Sequence, residues 1–243
     1  MSILSTILHH QQTASPLLAV LIDPDKRDRY SALLPYLGEV DLLLVGGSTG
    51  EQIEDCILEL RQHTLAPLVL FPGNTAQFTP SADALLFLTL LNSRRAEVLI
   101  EPHIQSAITV RLSGIETIPM GYILVDGERQ SAVEVVSGCT PIARENVADV
   151  VNHAVAGQLL GKQLIYLEAG SGAKTPVSTE TIRAVRNAID LPLIVGGGIT
   201  SEREMLESFS AGANIVVIGN HFEKNPQALS TFLQAKLSYD HGN

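Results

Sequence analysis

The chain predicts an α/β fold of the (β/α)8 TIM-barrel class, and three observations carry that expectation. Eight short runs rich in Val, Ile and Leu recur with turn residues after each, and they lack the alternation of a half-solvated sheet, as parallel strands covered on both faces do. Segments of helical period separate most of these runs. The 243 residues also match the size at which such a barrel closes. A doubly wound open sheet would carry GxGxxG after its first strand, where this chain has Asp23-Pro24-Asp25-Lys26. No internal repeat, linker or low-complexity tract divides the sequence, so a single domain over 1–243 is expected.

In chain order the expected strands are 17–23, 41–47, 67–73, 84–90, 116–126, 163–169, 192–198 and 215–220. Apolar residues at three- and four-residue spacing predict helices over 51–63, 93–112, 145–161, 178–189 and 201–211, several opened by Ser or Thr with Glu following. One unit departs from the pattern. Only ten residues, 74–83, separate the third and fourth strands, and Pro80 lies among them. Two loops and a packed helix hardly fit in that length, so the third helix should be missing or replaced by a short irregular segment. The apolar flank left thinly covered is a candidate access route for a long apolar ligand, or simply an irregular loop.

Composition narrows the function. Sixteen Lys and Arg against 26 Asp and Glu give a net charge of −10, with no basic run to neutralise a phosphate backbone, so no nucleic-acid partner is expected. Any anionic ligand must be held locally against the overall field. Cys56 and Cys139 stand far apart, without the spacing of a zinc site or disulfide framework, and neither has an adjacent base. The first fifteen residues lack a basic stretch and hold His9, His10, Gln11 and Gln12, which excludes a signal-peptide core. The longest apolar run falls far short of the roughly 20 residues of a membrane span. A cytoplasmic, soluble protein is the expectation.

In this fold the reactive residues lie where strands end. The sixth strand runs into Tyr166-Leu167-Glu168-Ala169-Gly170-Ser171-Gly172, the seventh closes on Gly196-Gly197-Gly198 and the eighth on Gly219-Asn220. Glycines let backbone approach a ligand, and amides at the following helix starts point at an anion, so these loops predict a phosphate cradle. The first and second strands end in Asp23 and in Gly46-Gly47-Ser48-Thr49. A carboxylate and a hydroxyl on neighbouring strand ends are hard oxygen ligands suited to Mg²⁺, though the same residues also read as a turn and a helix cap. His103 reads as a surface or packing histidine, and Arg94 and Arg95 as the first turn of a solvated helix capped by Ser93, within reach of a diphosphate.

Taken together, Leu21-Ile22-Asp23-Pro24-Asp25-Lys26, Gly46-Gly47-Ser48, Leu91-Asn92-Ser93-Arg94, Gly121-Tyr122, Ser137-Gly138, Tyr166 through Ala173 and Val195-Gly196-Gly197-Gly198-Ile199 resemble the geranylgeranylglyceryl phosphate synthases. These are related to the bacterial heptaprenylglyceryl phosphate synthases. The resemblance runs in order from about residue 17 to 226, and the Leu-Glu-Ala-Gly-Ser-Gly stretch looks like the branch with archaeal and some bacterial members. It implies a modified barrel that joins the 3-hydroxyl of sn-glycerol 1-phosphate to a prenyl diphosphate with Mg²⁺, releasing diphosphate. By position, Asp23 and Ser48 match the metal residues; Tyr166, Leu167, Glu168, Ala169, Gly170, Ser171, Gly172, Gly197, Gly198, Gly219 and Asn220 match those that bind the glycerol phosphate. Leu21 stands where the heptaprenyl branch carries a lysine. The resemblance further implies a homo-oligomer, dimer or hexamer, and a lipid product implies transient membrane contact.

Glu168, beside the cradle, is the best placed residue to orient and deprotonate the glycerol hydroxyl. No DDxxD pair is present, which sets the chain apart from the all-α prenyl synthases. A sugar-phosphate isomerase or lyase would share the phosphate loops without needing the metal residues or the apolar flank, and a silent phosphate-binding barrel would not need Glu168.

Overall fold

The computed structural model describes residues 2–47 and 52–242. Its eight strands are β1 (Leu17–Ile22), β2 (Leu42–Val45), β3 (Leu68–Leu70), β4 (Ala84–Leu90), β5 (Glu116–Leu124), β6 (Leu164–Glu168), β7 (Leu193–Gly196) and β8 (Ile215–Ile218). Each pairs in parallel with the next, and β8 returns to β1 through Leu17↔Ile215 to Val20↔Ile218, closing the barrel. The continuous apolar runs are explained by two buried faces. Leu18 and Val20 of β1 join the shell between strands and helices, while Leu17 and Ala19 join a lumen cluster with Leu44, Val69, Leu86, Met120 and Tyr166.

The helices are α1 (Ile3–Gln12), α2 (Arg27–Tyr30), α3 (Ile53–Leu60), α4 (Ala96–Leu99), α5 (Glu101–Ser113), α6 (Ala132–Ser137), α7 (Val147–Leu159), α8 (Thr179–Ala188), α9 (Glu202–Ser210), α10 (Asn220–Lys224) and α11 (Ala228–Gly242). The expected Ser caps are present: Ser178 opens α8, and Ser201 with Glu204 forms a capping box on α9. Sequence reading missed α1. Its Ile3 and Leu4 amides donate to the Glu116 carboxylate at the start of β5, at 2.6 and 2.9 Å, and Ile7 closes the floor of the lumen.

The single helix expected over 93–112 is two helices. Pro102 has no N–H to continue a helix arriving from 98 and sits instead in the first turn of α5, with Ile100 between the pieces at φ −123°. Ser93, read as that helix's cap, instead accepts the Arg95 amide just ahead of α4. No helix forms between β3 and β4, as predicted. There β3 is three residues long and meets β4 only through Val69↔Ala84 and Leu70↔Leu85, whereas β4 runs on to Leu90. The upper half of β4 therefore faces the thin flank with Phe87 and Thr89 only half-buried, while Leu88 between them turns into the lumen. His103 of α5 packs there, its ring 4.4 Å from that of Phe87 and its Nε2 2.7 Å from the Leu88 carbonyl.

Candidate active site

Two halves of a site meet at the C-terminal mouth. On the β6 side, alternation points Tyr166 and Glu168 into the lumen and Leu167 and Ala169 out into the helical shell. Leu167 and Ala169 thus border the mouth by backbone alone. Glu168 is buried, and its Oε1 accepts the Gly170 amide at 2.7 Å. Burial pushes the Glu168 carboxyl above the usual carboxylate range; hydrogen bonds from Tyr166 and from the Gly170 amide pull the other way without cancelling it.

The glycine loops close on this carboxylate. Gly197 lies at φ +83°, and a Cβ there would stand 2.3 Å from Glu168 Oε1 and 2.7 Å from the Gly170 nitrogen, so only glycine lets the β6 and β7 loops touch. Gly198 continues the left-handed turn. Asn220, at the start of α10 just after Gly219, donates from Nδ2 to Ser171 Oγ at 2.7 Å and ties the β8 loop to the β6 loop beside Gly172. The structure thus sets Gly170, Ser171, Gly172, Gly197 and Asn220 at adjoining loop ends, while Gly198 packs on the later part of the β6 loop at Thr175 and Pro176 and Gly219 lies against Leu21 of β1.

Beneath the cradle lies an aromatic floor that sequence reading did not find. Tyr166 stacks on Phe71 at 5.5 Å and leans on Tyr122 at 5.2 Å, and Gly196 makes room for it: a Cβ there would lie 2.2 Å from the Tyr166 hydroxyl oxygen. The signal was the period-two alternation that turns residues 71, 122 and 166 inward, visible only once the strands are in register.

Around the ring β2 stands four strands from β6, and the other half of the site lies there and at the end of β1. Asp23 Oδ1 accepts the Asp25 amide at 3.1 Å, and its Oδ2 pairs with Lys26 Nζ at 2.9 Å; Lys26 also reaches Glu223 of α10 at 3.2 Å. Gly47 abuts this carboxylate, since a Cβ on it would lie 2.1 Å from Asp23 Oδ1 and 3.1 Å from Asp25 Oδ2. Ser48, the second expected metal residue, lies outside the described residues. Among the described residues no three His, Cys, Asp or Glu side chains converge as a metal cage. One carboxylate at the mouth suits Mg²⁺, a hard ion that keeps waters and completes its shell from phosphate oxygens.

The remaining candidates are engaged elsewhere. Arg94 is bound to the Leu91 and Ser93 carbonyls and lies 3.3 Å from His153, and Arg95 donates to the Ser137 carbonyl. Both cysteines are buried, with burial pushing the Cys56 thiol up to about 12 and the Cys139 thiol upward as well, which disfavours a thiolate.

A parallel barrel whose mouth joins a glycine-lined anion cradle, a buried carboxylate and a second carboxylate across the ring defines a phosphate-handling barrel enzyme. The chain belongs to the PcrB family, whose pattern matches residues 12–236. Geranylgeranylglyceryl phosphate synthase of Zunongwangia profunda is 45% identical over 226 residues, covering 91% of this chain and 97% of the relative. The protein of that name from Korarchaeum cryptofilum is 41% identical over 226 residues, covering 90% and 93%. Among solved structures, (S)-3-O-geranylgeranylglyceryl phosphate synthase from Thermoplasma acidophilum in complex with its substrate sn-glycerol-1-phosphate superposes with a TM-score of 0.88 at 29% identity, over 97% of this chain and 98% of that one.

Proposed function

We propose that this protein joins the 3-hydroxyl of sn-glycerol 1-phosphate to geranylgeranyl diphosphate, giving geranylgeranylglyceryl phosphate and diphosphate. The observation that carries this reading is Glu168, a buried carboxylate set where the β6 and β7 loops meet beside the cradle. The cradle holds the phosphate and turns the glycerol hydroxyl toward Glu168. The allylic C–O bond breaks with its electron pair leaving on the diphosphate, the glycerol oxygen bonds to the allylic carbon, and its proton passes to the Glu168 carboxylate. Raised basicity suits that transfer. Asp23 and Ser48 would hold Mg²⁺, which when bound neutralises charge growing on the diphosphate. The aromatic layer of Phe71, Tyr122 and Tyr166 fills the lumen beneath the mouth and so keeps water from reaching the site from below.

Product mass spectrometry with Mg²⁺, geranylgeranyl diphosphate and each glycerol phosphate enantiomer tests this. Ether product from the sn-1 enantiomer is expected, and no product, or equal rates with both, would overturn the reading. The proposal extends to a homo-oligomer acting in the cytoplasm, with transient membrane contact to take up substrate and release its lipid product. The observation that supports these surface contacts is an exposed apolar ridge of Ile104, Ile108 and Leu112 along α5, continued by Ile100 just ahead of it. Among the described residues no helix is long and apolar enough to cross a membrane.

A further inference from the structure

The segment that stands in place of a third helix does more than cover the flank. Pro72 and Gly73 end β3, and Asn74 turns the chain back by accepting the Ala76 amide on its side chain at 2.9 Å and the Gln77 amide on its carbonyl at 3.3 Å. This carries the Gln77 side chain inward, where it is fully buried. There Gln77 Oε1 accepts the Gly73 amide at 2.7 Å and the Gly47 amide at 3.3 Å. Gln77 Nε2 meets no partner, one of two buried side-chain atoms so left among the described residues. A buried donor left unmet is costly and rare in a native fold, so the residue is kept for something other than filling space.

The surroundings show what the acceptor holds. The ends of β2 and β3 lie backbone against backbone: a Cβ on Gly46 would fall 1.8 Å from the Phe71 carbonyl oxygen, and one on Gly73 would fall 2.8 Å from that of Gly47. Gly47 in turn abuts the Asp23 carboxylate. The loop beyond Gln77 is fastened to α3, because Thr79 and Ser81 both donate their hydroxyls to Glu54. The loop fastened to α3 at Thr79 and Ser81 thus leads, two residues back along the chain, to Gln77, which contacts Gly47, which in turn abuts Asp23.

We propose that Gln77 is a positioning residue of the active site: by holding the Gly47 and Gly73 amides it sets the end of β2 against Asp23, and so tunes the affinity of that side of the mouth for a Mg²⁺-bound diphosphate. The inference rests on the proposed function, in which Asp23 serves the diphosphate half. Removing the acceptor leaves two amides unmet and frees Gly47 to shift, and shifts of this kind in a binding frame cost about 10- to 100-fold.

The test compares Gln77→Met with Gln77→Glu. Gln77→Met should raise the KM for prenyl diphosphate and the Mg²⁺ concentration for half-activation by about 10-fold or more, with the KM for sn-glycerol 1-phosphate within about twofold of wild type. Calorimetry with Mg²⁺ and inorganic diphosphate should show the same loss without turnover, and hydrogen exchange at Gly47 and Gly73 should quicken. A carboxylate can accept the same two bonds, so Gln77→Glu should keep both amides protected, and it carries the test if Gln77→Met does not fold. Equal rises in both KM values, unchanged diphosphate binding in Gln77→Met, or fast exchange in Gln77→Glu would overturn the proposal. Absence of ether product from wild-type protein would instead remove the proposed function beneath it.

Discussion

Gly196→Ala places one methyl where Tyr166 already stands. The added Cβ would lie 2.2 Å from the Tyr166 hydroxyl oxygen and 2.9 Å from Cζ, both below the separations that real Cβ atoms show, and 3.0 Å from Cε2, at their limit. The backbone at β7 is pinned by Glu168↔Gly196 on one side and Gly196↔Val217 on the other, so the ring must yield. It cannot yield freely, because Phe71 stacks on it at 5.5 Å and Tyr122 lies at 5.2 Å. Overpacking costs about 1–3 kcal/mol, and each disturbed aromatic pair adds about 0.5–1.5 kcal/mol. With both pairs disturbed, a loss of about 2–6 kcal/mol is expected, which for a chain of this size lowers Tm by roughly 4–24 °C. The cause can be isolated, since Tyr166→Phe removes the nearest atom. Alone it should cost about 1 kcal/mol for the lost hydroxyl, yet in the Gly196→Ala background it should stabilise, giving a coupling of about 1 kcal/mol or more in a denaturant double-mutant cycle. A Tm for Gly196→Ala within about 1 °C of wild type, or strict additivity of the pair, would refute the argument that glycine is there to seat Tyr166.

Glu168→Gln should lower kcat by about 10²- to 10⁴-fold while leaving Mg²⁺-dependent diphosphate binding intact, as measured by steady-state kinetics and calorimetry. The same substitution reads out the raised carboxyl. Below its ordinary pKa, Glu168 is protonated whether folded or unfolded and costs nothing; as pH climbs through the shifted folded value, the unfolded chain ionises more readily and the native state loses stability. Glu168→Gln should therefore unfold at a higher temperature than wild type above that value and at the same temperature in acid; a difference of opposite sign would count against burial as the cause. Asp23→Ala should weaken diphosphate binding and remove most turnover with little change in glycerol-phosphate affinity, and calorimetry that still finds Mg²⁺-dependent diphosphate binding in this variant would reassign the residue. Ile104→Glu with Ile108→Glu should shift the mass by light scattering toward the monomer, and an unchanged assembly would clear the α5 ridge of that role.

The strands of the barrel were legible because a run buried on both faces is apolar at nearly every position, even in β5 beyond its opening Glu116-Thr117, and a sequence records that directly. The glycine-lined loops were legible for a related reason: backbone that must meet backbone, as at Gly197 against the Ala169 and Gly170 amides, tolerates only glycine, and glycines leave a mark in the chain. The missing third helix followed from counting residues and noticing Pro80. What sequence could not yield were relations between segments. Phe71 read as one more apolar strand position, and Tyr122 as part of a motif without a stated role, until register turned both inward against Tyr166. Gln77 read as one more loop residue until the fold carried its acceptor to the amides of two glycines, one of them 30 positions away. The break at Ile100 needed the geometry of Pro102 in a particular turn, and α1 needed Glu116, more than a hundred residues distant, to hold its first amides. Local burial and backbone strain are properties of single positions, which composition encodes. Hydrogen bonds and ring contacts between distant segments exist only when closure of the barrel brings their ends together, and that is decided by the tertiary structure.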